Sequence, residues 1–295
     1  MKRFDPKGII AALITPTDAH GDLKEEAARK ILRYVIDGGV HGLFVVGTAG
    51  EFYALDKKTK IRMTEITLEE VGRRIPIYMG AAGNTTRESV EMAKAAESMG
   101  VEAVTVLTPS FVKCSDDELY DHYKTVADST SLPVILYALP GVTGVGLSPE
   151  LVTQLSHIDN IIGVKDSSGD LSITEQYIRL TSDDFYVLAG KDTLILATLV
   201  YGGNGAVAAT ANIAPRLVVS IYDYFKAGDI EKAREAQFKL APLRHAFSLG
   251  SSSAAMLKEA ANLLNMDVGQ TVAPVKLLND DERKQLKGIL EGLES

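Results

Sequence analysis

Ile161-Ile162-Gly163-Val164-Lys165 is a short apolar run, rich in β-branched residues and closed by a single amine. A strand covered on both faces has this texture, without the polar alternation of a half-exposed strand. The texture recurs on either side. Pro133-Val134-Ile135-Leu136-Tyr137 precedes the run and Tyr186-Val187-Leu188-Ala189 follows it. Farther out lie Gly8 to Ile14, Gly42 to Val46, Ile75 to Met79, Ala103 to Leu107 and Ala206 to Ala208, which makes eight strand candidates.

The segments between them carry helical periodicity. Leu23 to Ile36 sets Ala27, Ile31, Leu32 and Val35 on one stripe, and Asp56 to Val71 does the same with Ile61, Thr64, Leu68 and Val71. Ser89 to Met99 and the acid-led Asp116 to Ala127 read as helices, with later starts at Ser148-Pro149, Asp192-Thr193 and Pro215. Strand and helix alternate throughout, which predicts an α/β chain with a parallel sheet and helices outside. An open doubly wound sheet has the same alternation. Eight units within about 225 residues favour closure into a (β/α)8 TIM barrel. Ile230 to Leu240, Ala254 to Leu264 and Asp281 to Leu293 read as helices with no strands between them. The expected organisation is therefore a barrel over 1–227 that carries the site. A C-terminal helical extension over 228–295 packs on it as part of one structural unit.

Composition narrows the function. Lys and Arg total 31 against 39 Asp and Glu, a formal charge of −8, so a nucleic-acid or anionic-membrane partner is not expected. The only cysteine, Cys114, allows no internal disulfide and reads as a small half-buried residue. Met-Lys-Arg-Phe-Asp-Pro at the start is not a signal peptide and no run is long enough to span a bilayer, so a cytoplasmic protein is expected. His20, His41, His122, His157 and His245 show no metal-ligand spacing, and Gly202-Gly203-Asn204-Gly205 is no dinucleotide fingerprint. Gly250-Ser251-Ser252-Ser253 is not a nucleophile elbow and reads as the cap of the next helix. Neither a metal nor a cofactor is indicated.

Reactive groups of such a barrel sit at the C-terminal ends of strands. Lys165 closes its strand, and burial disfavours an ammonium, leaving the free amine that attacks a ketone. The competing reading is a structural lysine paired with Asp166 or another carboxylate. Tyr137 ends the neighbouring strand, where its phenol could move a proton or simply fill the rim. Gly47-Thr48-Ala49-Gly50-Glu51 follows the second strand as either an anion-binding turn or a plain Gly-rich one. Glu51 is expected to cap or orient that turn. Lys191 is a rival amine set outside its strand, and Asp192 either binds a substrate hydroxyl or caps the next helix.

These residues resemble the dihydrodipicolinate synthase and N-acetylneuraminate lyase family of class I aldolases over essentially the whole chain. Gly47-Thr48-Ala49-Gly50-Glu51 resembles its keto-acid carboxylate turn. Tyr137-Ala138-Leu139-Pro140-Gly141-Val142-Thr143-Gly144 resembles its tyrosine segment, and Gly163-Val164-Lys165-Asp166-Ser167-Ser168-Gly169 its Schiff-base lysine motif. The resemblance implies Lys165 as nucleophile, Tyr137 as general acid/base, Thr48 as relay and Gly47, Ala49 and Gly50 as carboxylate site. It also implies a homo-oligomer, a tetramer by family analogy, whose partners are a small 2-keto acid and an aldehyde.

Several positions depart from the family pattern. Val142 stands where the synthases keep an arginine for their second substrate's carboxylate, which disfavours that activity. Phe111 stands where a neighbouring subunit often lends a tyrosine hydroxyl, and Ala138 and Ala49 replace more polar residues. Asp192 after Gly190 resembles members acting on polyhydroxylated keto acids, with Val207 lining the pyruvoyl end. The expected reaction is thus reversible cleavage of a 2-keto-3-deoxy sugar acid, such as 2-keto-3-deoxygluconate, to pyruvate and an aldehyde. N-acetylneuraminate lyase, a sugar-acid dehydratase using the same imine and a non-catalytic keto-acid-binding protein are the alternatives.

Overall fold

The computed structural model of the chain describes residues 4–294. Its strands are β1 (Gly8–Ala12), β2 (Gly42–Val45), β3 (Ile77–Gly80), β4 (Ala103–Leu107), β5 (Val134–Ala138), β6 (Ile161–Asp166), β7 (Tyr186–Ala189) and β8 (Gly205–Ala208). They close into a barrel in sequence order, with parallel pairing in every register observed. Every strand residue is buried, as continuous apolar runs require. The sequence expectation of a closed (β/α)8 barrel with helices after the last strand is met.

Between the strands lie α1 (Glu25–Asp37), α2 (Lys57–Val71), α3 (Thr86–Met99), α4 (Asp116–Asp128), α5 (Pro140–Thr143), α6 (Pro149–Leu155), α7 (Leu171–Leu180) and α8 (Ile195–Val200). After β8 come α9 (Pro215–Lys226), α10 (Ile230–His245), α11 (Ser253–Leu263) and α12 (Asp280–Glu294). No helix among the described residues is long and apolar enough to cross a membrane.

The chain groups into two compact units. The first comprises residues 4–8 and Pro76–Val207. Here α3 begins three residues before the predicted Ser89, because Thr85 and Glu88 form a reciprocal capping box. Ser115 and Glu118 do the same for α4. The Asn160 amide reaches the carbonyls of Ala127, Thr130 and Leu132, tying the end of α4 and its following turn to the entry of β6.

The second unit comprises Ile9–Ile75 and residues 208–294. On α1 the predicted stripe of Ala27, Ile31, Leu32 and Val35 is buried. On α2 the predicted stripe is met only in part. Met63, Thr64, Ile66, Thr67 and Val71 are buried, whereas Ile61 and Leu68 are only half-buried. The Thr64 and Thr67 hydroxyls donate to the carbonyls of Lys60 and Met63 one turn back, so both threonines enter the core with their polar atoms satisfied. Arg29, Arg33 and Arg62 link α1 to α2 through Glu25, Glu69 and Glu70. Helix α10 continues past the predicted Leu240 and through Pro242, because Leu240 and Leu243 are both buried and hold the last turn in place. Ser252 caps α11, as its serine run predicts.

Candidate active site

Pairing of β5 with β6 sets Tyr137 level with Lys165 and Ala138 level with Asp166, and β7 sets Leu188 on the other side of Lys165. The Lys165 Nζ sits 3.8 Å from the centroid of the Tyr137 ring, and each residue is only 4% exposed. The amine therefore rests against an aromatic face within an apolar strand end. The Asp166 carboxylate serves its own loop, accepting from the Ser168 N–H at 2.8 Å and the Thr174 hydroxyl at 2.6 Å.

The turn after β7 approaches this loop closely. Gly190 N–H donates to the Asp166 carbonyl at 2.6 Å, and a Cβ at Gly190 would lie 2.0 Å from Ser167 Oγ. Only glycine lets the two loops meet there. Ser167 Oγ is buried without a hydrogen-bond partner among the described residues, a feature its sequence context did not single out. Asp192 is buried, and Lys191 takes the N-cap position of the short 3-10 turn at Asp192–Leu194, so the capping role considered for Asp192 is not the one found. The rival amine Lys191 is half-buried and runs its chain past Gly169.

The segment after β5 turns immediately into α5. Val142 is 69% exposed there, while the neighbouring Thr143 hydroxyl donates to the Val145 carbonyl and accepts from Thr108 Oγ1. Phe111, on the loop between β4 and α4, is 97% exposed at a φ of 77°. Left-handed backbone under an exposed aromatic side chain is uncommon. Val207 is buried on β8.

In the second unit, Gly47 to Glu51 forms a tight turn. Gly50 and Phe52 donate to the Gly47 carbonyl and Glu51 to the Thr48 carbonyl; the Ala49 N–H takes no part in these bonds. Val46 and Glu51 flank the turn with φ of 58° and 56°. Such conformations cost roughly 1–3 kcal/mol each and persist only where surrounding structure imposes them.

That structure is Lys258 on α11, which the sequence reading passed over. It is 0% exposed, and its ammonium meets Glu51 Oε2 at 2.5 Å, Thr17 Oγ1 at 2.7 Å and the Gln270 carbonyl at 2.6 Å. Burial pushes the Lys258 amine below its ordinary value, and the Glu51 carboxylate pulls it back. Lys258 and Glu259 set together inside the otherwise apolar run Ala254 to Ala261 were the available signal. Asn212 was also missed. Its amide donates to the Ala12 carbonyl and its oxygen accepts from the Ile14 N–H, closing the end of β1. No group of three or more His, Cys, Asp or Glu able to hold a metal ion occurs among the described residues.

The sequence profile of the dihydrodipicolinate synthetase family matches residues 5–293. The 4-hydroxy-tetrahydrodipicolinate synthase of Methanopyrus kandleri is 36% identical over 292 residues, covering 98% of this chain and 97% of that one. The enzyme of the same name from Oceanobacillus iheyensis is 33% identical, with 97% of each covered. Among solved structures, a prophage protein of E. coli K12 from the dihydrodipicolinic acid synthase family, in complex with pyruvate, superposes with a TM-score of 0.94 at 31% identity, with 98% of each chain covered.

Proposed function

The chain belongs to the dihydrodipicolinate synthetase family, a family of pyruvate-dependent carbon–carbon lyases and synthases, and from that premise we propose that it cleaves a 2-keto-3-deoxy sugar acid reversibly to pyruvate and an aldehyde. The observation that carries the chemistry is the buried Lys165 amine against the Tyr137 ring. Lys165 attacks the C2 carbonyl, water leaves, and a protonated imine forms. The imine accepts the electron pair of the C3–C4 bond as the C4 hydroxyl gives up its proton and departs as the aldehyde. Tyr137, relayed through Thr48, moves that proton and returns one to C3, and hydrolysis frees pyruvate. The Gly47–Gly50 turn binds the keto-acid carboxylate through Thr48 and backbone N–H groups including that of Ala49, and Val207 lines the pyruvoyl end.

Two features support the sugar-acid side. Val142 offers no charge for a second carboxylate, and Asp192 is a buried acid beside Gly190 that suits substrate hydroxyls. The reading includes a cytoplasmic homotetramer in which the exposed Phe111 meets a neighbouring copy.

The names of the relatives favour a second reading, 4-hydroxy-tetrahydrodipicolinate synthase. Both activities are decided in one experiment. Pyruvate release from 2-keto-3-deoxygluconate is followed by coupled NADH oxidation, beside formation of 4-hydroxy-tetrahydrodipicolinate from pyruvate and its aldehyde co-substrate. Pyruvate release with no condensation supports the proposal. Condensation without sugar-acid cleavage replaces it with the synthase reading. A product that retains the carbon chain intact would mark a dehydratase instead.

A further inference from the structure

Glu51 was expected to cap or orient the turn at 47–51, and that turn cannot be described without its partner Lys258, which was given no role above. An ammonium has three N–H donors, and Lys258 Nζ has three oxygen neighbours at 2.5–2.7 Å: Glu51 Oε2, Thr17 Oγ1 and the Gln270 carbonyl. The other carboxylate oxygen, Glu51 Oε1, accepts from the Val272 N–H at 3.0 Å. Thr17 is joined to the same segment by backbone bonds, donating to the Val268 carbonyl and accepting from the Gln270 N–H, and its hydroxyl donates to the Gln270 carbonyl. The close approach is fixed at Gly269, where a Cβ would lie 2.0 Å from the Thr17 carbonyl oxygen. Residues 268–272 thus form a backing, and Glu51 links it to the turn through its side chain.

A buried ion pair is weak evidence for stability, because desolvation of both charges offsets their attraction. It is stronger evidence for geometric specificity here, since Glu51 is held in left-handed backbone at the exit of the turn. Just before it, Gly50 passes so near Leu13 and Thr15 that a Cβ would lie 2.9 Å from the Leu13 carbonyl oxygen and from Thr15 Oγ1. The turn is wedged on one side and tethered on the other.

We propose that Lys258 and Glu51 are positioning residues that hold the 47–50 turn in its anion-binding shape, and so set affinity for the carboxylate end of the keto acid without touching the imine chemistry. The inference rests on the reading of that turn as the carboxylate site. Neither residue is assigned contact with substrate. Their effect is preorganisation, which removes an ordering cost from binding.

The test compares pyruvate with acetone, a ketone of similar size that lacks the carboxylate. Lys258→Met alone strands a buried carboxylate and can prevent folding, so the Glu51→Gln/Lys258→Met double variant carries the test, with folding checked by circular dichroism. Pyruvate affinity is measured by calorimetry, and imine formation by borohydride trapping and peptide mapping at Lys165. The expected result is a loss in pyruvate affinity of about tenfold or more, with acetone trapping within about twofold of the wild type. Equal losses for both ketones, or unchanged pyruvate affinity in the folded double variant, would overturn the proposal. Wild-type protein that binds pyruvate but forms no Lys165 adduct would defeat the imine assignment alone, and the pyruvate affinities would still judge the pair. Wild-type protein that binds no pyruvate would overturn both.

Discussion

Lys165 and Lys258 are both buried, one at the end of β6 and the other in the middle of α11, and their surroundings differ in kind. Lys258 donates to Thr17 Oγ1 and the Gln270 carbonyl and is ion-paired with Glu51 Oε2. That arrangement ties the amine to fixed oxygens and suits a tether. Lys165 lies over the face of Tyr137, in a strand that runs from Ile161, Ile162, Gly163 and Val164 to Asp166. An aromatic face attracts the amine through its π cloud, and the proposed chemistry needs that nitrogen to reach an electrophile. Burial alone therefore does not mark a nucleophile; the chemistry of the neighbouring atoms does.

The sharpest way to break this comparison is to remove each amine in turn. Lys165→Ala should lower turnover about a thousandfold or more and abolish the borohydride adduct, while the urea midpoint stays close to wild type. Lys258→Met should do the reverse in kind, destabilising the fold by about 3–5 kcal/mol in urea denaturation because Glu51 is left buried and unpaired. If the two variants exchanged these outcomes, the roles given to the two lysines would have to be exchanged as well.

His122 extends the comparison to a buried base with incomplete partners. Its Nδ1 lies 3.0 Å from the Thr86 hydroxyl, and Nε2 has no hydrogen-bond partner among the described residues. Burial pushes its folded-state value from 6.5 down to about 4. The unfolded chain then takes up a proton that the folded state refuses, so the stability present above pH 6.5 is lost as pH falls toward 4. The loss amounts to up to about 3 kcal/mol, and His122→Gln should flatten it in denaturation curves recorded across that range. The exposed Lys124–Asp128 pair at 2.6 Å stands at the far end of the scale. Lys124→Ala should leave the midpoint unchanged within error, since water already solvates both charges.

These contrasts explain what could be read from the sequence. Strand runs such as Val134 to Ala138 were legible because parallel strands buried on both faces leave a local apolar signature. Lys165 and Tyr137 were legible because strand ends are few and each lies one residue before one, at Asp166 and Ala138. The stripe on α2 was read only in part: Thr64 and Val71 are buried as expected, but the buried face also takes in Met63, Ile66 and Thr67, whose hydroxyl the helix itself satisfies. Lys258 and Asn212 were missed for another reason. Their partners at Glu51, Thr17, Ala12 and Ile14 are some two hundred residues away in the chain, and no local pattern reports a contact of that span.

That span also matters during synthesis. Val272, whose N–H meets the Glu51 carboxylate, follows it by 221 residues. At roughly 5–20 residues per second a ribosome needs on the order of 10–40 s to cover that distance. Throughout that interval the nascent chain carries the 47–51 turn without its backing. The region proposed to grip the substrate is thus among the first to emerge and among the last to take shape, and a chaperone holding the early segments would be guarding an unfinished binding site.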